Sequence, residues 1–256
     1  MKVLHTALLF AAIGVAAPHA QAQGGAAVKV YAAAVVKEPL TAIAAEFEKA
    51  TGSKVTLIFD TAGATEQRFR ADADAAILIT NAALIRDSET NGALKDGAAT
   101  PLGRTEAGVA VTPKSRKPDI SSPELLKAAL LSAKRIAVSD PARGATVGTH
   151  FMKVIESLGI KDQVMPKVTL ARDGVETMKI VVEGGADMGV SQTSEIVQAS
   201  PDAMVGPFPK AYSLATNFSL WRRTNAPDAV KALAARLLSP EGRAKLAADG
   251  VLPPES

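Results

Sequence analysis

Three histidines and no cysteine occur in this chain of 256 residues. His5 and His19 fall in an N-terminal stretch that reads as a leader, which leaves His150 as the one imidazole beyond it. Without a thiol there is no disulfide, zinc cluster, iron–sulfur centre or cysteine nucleophile, and one imidazole cannot build a multi-histidine metal site. No metal and no organic cofactor is expected. The sequence also has no Gly-x-Ser-x-Gly elbow, no Gly-Lys-Ser/Thr phosphate loop and no G-x-G-x-x-G fingerprint.

The residue patterns that could do chemistry are turns. Ala32-Ala33-Ala34-Val35, Thr61-Ala62-Gly63-Ala64 and Asp140 to Gly148 each follow a β-rich run and lead into a helical pattern. Gly174-Val175 opens a further helix. Small residues let a ligand approach the backbone, and the free amides and positive dipole end of a helix start attract anions. Taken singly, such a turn is ordinary tight packing; three in one chain point to an anion site. Arg143, in the third turn, is an exposed loop arginine by default and well placed to pair with a carboxylate. His150, about one helical turn further on, is a candidate for ligand contact or proton transfer. Ser191-Gln192-Thr193-Ser194-Glu195 opens another helix, either as a simple cap or as a polar wall contributing Gln192 and Ser194, with Glu195 a second candidate acid–base group.

The elements needed to position these turns alternate. A strand over 28–32, a helix from Pro39 with Leu40, Ile43, Ala44 and Phe47 on one face, a strand over 54–59, a helical segment over 64–71 and an apolar strand over 75–79 make one α/β unit. After a strand over 109–112 the alternation restarts. It runs through a helix capped by Ser122 and Pro123, a strand over 136–139, a helix closed by Gly159, a strand over 168–170, a helix over 175–182 and a strand over 187–190. A long β-rich run over 212–221 and two helices, 228–238 and 240–248, finish the chain. The expected fold is α/β and two-lobed, with residues 23–104 plus 212–256 in one lobe, residues 105–211 in the other, and the cleft between them.

Composition sets the class. Hydrophobic residues are 47 % and charged residues 21 %, which suits a packed protein. The net charge of +3 is spread without a run of like charges, and aromatics are 4 %, so a nucleic-acid surface is not expected. Residues 1–22 combine Lys2, an apolar run and Ala20-Gln21-Ala22, which reads as a cleavable signal peptide and implies export to a periplasm.

Val28 to Ala34, the helix end Phe47-Glu48-Lys49-Ala50-Thr51-Gly52, Val55 to Phe59 and Ser139-Asp140-Pro141 resemble the periplasmic molybdate-binding protein family over nearly the whole chain after the leader. The resemblance implies a periplasmic-binding-protein fold of type II character, acting as a monomer that delivers a small anion to an ABC transporter permease. It places the family's ligand-binding positions at Val35, Ala62, Val175 and Gln192, with a backbone contact at Thr146 or Val147. Both family serines and the tyrosine are replaced, so an organic carboxylate is as compatible with the pattern as an oxyanion. Lys117 to Glu124, Ser194-Glu195 and Gly206-Pro207-Phe208-Pro209 resemble a divergent branch that an aconitate isomerase also resembles, and a cofactor-free isomerase using His150 and Glu195 is the alternative activity.

Overall fold

The computed structural model describes residues 26–254; the leader expected over 1–22 lies outside them. Strand β1 (Ala27–Ala33) runs into a 3-10 turn, Ala34–Val36, and then helix α1 (Lys37–Thr51). Leu40, Ile43, Ala44 and Phe47 form the buried face of α1, and Gly52 ends it in the left-handed conformation that a helix exit requires. Strand β2 (Lys54–Asp60), helix α2 (Ala62–Ala71), strand β3 (Ala75–Asn81) and helix α3 (Ala82–Thr90) follow, and β2 and β3 flank β1 in parallel.

Strand β4 (Gly97–Val111) is far longer than the segment expected over 109–112. Beyond it come α4 (Pro123–Ser132), β5 (Ile136–Ser139), α5 (Thr146–Ser157), α6 (Lys161–Val164), β6 (Val168–Ala171), α7 (Gly174–Val182), β7 (Met188–Gln192), α8 (Thr193–Ala199) and β8 (Met204–Pro207). The chain returns through β9 (Ala215–Arg223) to α9 (Asp228–Leu238) and α10 (Pro240–Ala248). The expected β-run began at residue 212, but Lys210–Tyr212 is a 3-10 turn.

The strands line up as β2-β1-β3-β9-β4-β7-β5-β6, with β8 also on β4. Residues 97–106 of β4 pair with β9, whereas Ala107 to Val111 pair with β7. One strand thus serves both halves of the molecule. The apolar cores divide in the same way. Val30, Leu40, Ile77, Leu220, Leu233 and Val251 belong to one cluster, and Val109, Leu126, Ile136, Phe151, Val154 and Val190 to another. Helices cover both faces of mostly parallel strands in each half, which is the two-lobed α/β arrangement expected.

Candidate functional site

The carboxyl ends of β1, β2 and β5 and the helix starts that follow them meet between the lobes. They enclose a cavity of about 30 Å³. Its walls are Ala33, Ala34 and Val35 from the first turn, Asp60, Thr61 and Ala62 from the second, and Ser139, Ala145, Thr146 and Val147 from the third. Gly174, Gln192, Glu195 and Phe218 complete them. The three small-residue turns and the Gly174 helix start therefore border one space.

Local chemistry explains why these turns carry free donors. At α2 the Thr61 hydroxyl accepts from the Ala64 amide at 3.2 Å, so one amide of the first turn is satisfied. At α5 the cap residue is Ala145, whose methyl group cannot accept a hydrogen bond, so no side chain caps the first amides of that helix. At α7 the Asp173 carboxylate accepts from the Glu176 amide at 2.8 Å, leaving the Gly174 and Val175 amides at the helix tip. Gln192 adds a side chain: its oxygen accepts from Thr105 at 2.6 Å, and one amide proton reaches Thr216 at 3.5 Å. Gln192 itself lines the cavity.

Two bridges between the lobes flank the cavity. In the first, Gly63 and Gly144 touch backbone to backbone: the Gly63 amide donates to the Gly144 carbonyl at 3.1 Å, and a Cβ on Gly63 would lie 2.8 Å from the Gly144 Cα. The Thr61 hydroxyl donates to the Arg143 carbonyl beside this contact. The Arg143 guanidinium donates to Asp60 at 2.9 Å and to the Arg172 carbonyl at 3.0 Å. In the second bridge, Gln198 donates to the carbonyls of Val35 at 2.8 Å and Asp249 at 3.2 Å, and accepts from the Glu38 amide at 3.3 Å.

Glu195 is the unusual wall residue. Its Oε2 accepts from the Ser191 hydroxyl at 2.5 Å and from the Gln192 amide at 3.1 Å. Gly174 leaves the room it occupies, since a Cβ there would lie 1.9 Å from Oε2. Burial, reinforced by the nearby Asp173 charge and opposed by those two hydrogen bonds, pushes the carboxyl up to about 7. None of the lining residues is a lysine, arginine or histidine.

The structure brings together Val35, Thr61, Ala62, Thr146, Val147, Gly174, Gln192 and Glu195 at the cavity. Gly63 and Arg143 lie in the first bridge; Arg143 does not line the cavity itself but is paired with Asp60, which does. Val175 lines a smaller space of about 50 Å³ with Glu38, Glu195, Gln198 and Ala199. Ser194 is wholly buried against Gly250 and is absent from the lining. His150 does not line this cavity; it lines an outer hollow of about 360 Å³ at the same cleft, with Gly63, Gly144, Thr146 and Lys153. Its Nε2 is 2.8 Å from the Tyr212 carbonyl and its ring stacks at an angle 5.8 Å from Phe208. The helix carrying it was correctly read, but the apolar stripe of Val147, Phe151, Val154 and Ile155 turns position 150 away from the cavity. Asp60, Ser139, Phe218 and Gln198 were not anticipated. Asp60 had a signal, an acid directly before the Thr61 turn; Phe218 and Gln198 come from distant elements and had none.

Two α/β lobes joined through shared strands and closed over a small cavity of backbone donors define a ligand-capturing protein of the solute-binding class. The chain belongs to the bacterial extracellular solute-binding protein family, whose model matches residues 28–252. It is 24 % identical over 221 residues to the aconitate isomerase of a Pseudomonas species, covering 82 % of each chain. It is 27 % identical over 185 residues to the molybdate-binding protein ModA of Escherichia coli K12, covering 72 % of each. The periplasmic molybdate-binding protein of Azotobacter vinelandii has the same fold, with a TM-score of 0.72 at 18 % identity over 89 % of this chain and all of that one. Among the described residues no helix is long and apolar enough to cross a membrane.

Proposed function

We propose that this chain captures a small anion in the periplasm, after cleavage of the leader over 1–22, and delivers it as a monomer to an ABC transporter permease. The observation that carries this reading is the convergence of helix starts on one cavity, with the uncapped α5 among them. Backbone amides, the Thr146 hydroxyl and the Gln192 amide would hold the anion, and dipoles would supply the positive potential that no side chain provides. The lobes would be residues 23–104 plus 212–256 and residues 105–211, moving about β4 and β9. The small cavity suits one compact head group, an oxyanion or a single carboxylate. Thermal-shift and calorimetric titration of the mature protein with oxyanions and with mono-, di- and tricarboxylates tests this. Stabilisation by at least one such anion is expected, and no shift with any of them would overturn the reading.

Glu195 favours a second reading, an isomerase acting on an unsaturated carboxylate. A carboxyl raised to about 7 at a cavity wall is poised to take an allylic proton and return it at the shifted carbon. The remaining carboxylates would extend into the outer hollow, which shares Thr146 with the inner cavity. Incubation with cis- or trans-aconitate in deuterated water, followed by NMR, separates the two. Interconversion that is abolished in Glu195→Gln and retained in His150→Ala would establish the enzyme; binding without interconversion leaves the receptor.

A further inference from the structure

An anion cavity walled by a carboxyl group poses a charge problem, and its solution restricts the ligand. Glu195 uses Oε2 for both of its hydrogen bonds, to Ser191 and to the Gln192 amide, so neither engages Oε1. The charged groups around it do not relieve it. Asp173, at the head of α7, acts on it with the same sign, although the exposed Arg172 guanidinium lies 3.3 Å from Asp173. Glu38 of α1 shares the small outer space with it and has Lys37 at 3.8 Å, and Asp60 on the far wall of the cavity is committed to Arg68 and Arg143. On β4, Glu106 lies 3.7 Å from Arg104. The 3-10 turn at 34–36, β7 and β8 bring no charged residue, and the turn at 201–203 that follows α8 brings only Asp202, a further acid. An ionised Glu195 and a fully ionised ligand would therefore meet as like charges in a desolvated space, without a cation between them.

We propose that the complex always contains one proton between Glu195 and the ligand: anions with an O–H of their own bind to ionised Glu195 as hydrogen-bond donors, and anions without one bind only as Glu195 takes up a proton. This rests on the anion-capture reading and narrows its ligand class to hydrogen phosphate, phosphate monoesters in their protonated form and hydroxy acids, in preference to sulfate, molybdate and simple dicarboxylates. Burial of the carboxyl raises its proton affinity toward neutrality, which makes the uptake accessible at ordinary pH. A space of about 50 Å³ lies on the other side of Glu195, lined by Glu38, Val175, Gln198 and Ala199.

The test is titration calorimetry of the mature protein with inorganic phosphate, sulfate, molybdate, malate and succinate from about pH 6 to about pH 9, spanning the carboxyl's titration, in buffers of different ionisation enthalpy. For sulfate, molybdate and succinate, affinity is expected to fall about tenfold per pH unit once Glu195 is ionised, with uptake of about one proton on binding. Phosphate and malate are expected to keep their affinity over that upper range with no net uptake. Glu195→Gln, whose amide mimics the protonated acid, should remove the pH dependence for sulfate and weaken phosphate. Should that variant fail to fold, proton uptake by the natural protein still decides. Parallel pH profiles for sulfate and phosphate with equal uptake would overturn this proposal and leave anion capture standing. Binding of none of the five anions at any pH would overturn both.

Discussion

Glu195 stands at the third position of a short helix, where a glutamate normally satisfies the amide of the cap residue and faces water. Here it makes that bond to Gln192 and is buried. Its folded pKa, about 7, is above the ordinary glutamate value, so the fold prefers the protonated acid. That preference stabilises the protein fully below the ordinary value and is lost as pH rises through about 7. A shift of this size corresponds to about 3 kcal/mol. Glu195→Gln should accordingly gain stability relative to the natural protein as pH climbs from about 4.5 to about 8, by an amount of that order, as read by urea unfolding at each pH. A constant difference between the two proteins across that range would show that Glu195 is not the titrating group. His150 makes the opposite case. Its Nε2 lies against a backbone carbonyl and its ring against Phe208, outside the cavity. His150→Ala is expected to leave anion affinity within about twofold while lowering stability by about 1 kcal/mol through the lost hydrogen bond. A tenfold loss of affinity would return it to the site.

The first bridge turns on the contact between the start of α2 and the Asp140–Gly148 loop. Gly63 lies inside α2, at no special backbone angle, where alanine is the better helix former by about 1 kcal/mol. A methyl group there would approach the Gly144 Cα at 2.8 Å, against backbone that cannot yield like a side chain. Gly63→Ala should therefore keep or raise the unliganded melting temperature and yet weaken anion binding at least tenfold, because the lobes cannot close. Gly144 is a poorer probe, since its φ of +73° adds strain of its own on substitution. Equal affinity in Gly63→Ala would mean that closure of this bridge contributes nothing to binding.

The same elements show what sequence periodicity can and cannot convey. Helices α1, α5 and α9 carry apolar residues at helical spacing, and strands β3 and β5 are nearly continuous apolar runs, so their existence was legible. Helix α3 buries only Ile85 and Ser88 and has no stripe to detect. The first third of β4, Gly97 to Pro101, is made of small residues and largely exposed; its partner, β9, lies over a hundred residues away. Met204-Val205-Gly206-Pro207 looks like a turn and is a strand only because β4 offers an edge. The small-residue turns were legible because helix starts need free amides and close backbone. Which way Arg143, His150 and Ser194 point depends on helix faces and on partners such as Asp60 and Tyr212, and local spacing does not encode these.

At the scale of the whole molecule, the end of the chain ties the two lobes to the site. Val251 is buried in the first lobe's core, and Arg104 and Leu252 exchange backbone hydrogen bonds at 2.8 and 2.9 Å. Just before them, the Asp249 carbonyl accepts from Gln198, and a Cβ on Gly250 would lie 3.0 Å from the Ser194 Cα. Gln198 and Ser194 belong to α8, the helix that carries Glu195, so residues 249–252 hold that helix against the first lobe. Removing residues 249–256 should have two separable effects. Loss of Val251 from the core should destabilise the protein by about 2 kcal/mol, an effect that Val251→Ala would partly reproduce. Loss of the contacts to α8 should weaken anion binding about tenfold further, chiefly through faster release, since about 1 kcal/mol is at stake in each hydrogen bond. Stopped-flow release rates for the truncated chain and for Val251→Ala, measured well below both melting temperatures, separate the two effects. If both variants release the anion at the natural rate, the chain end supports only the core. If the truncated chain alone releases it faster, the second bridge is a working part of the closed state.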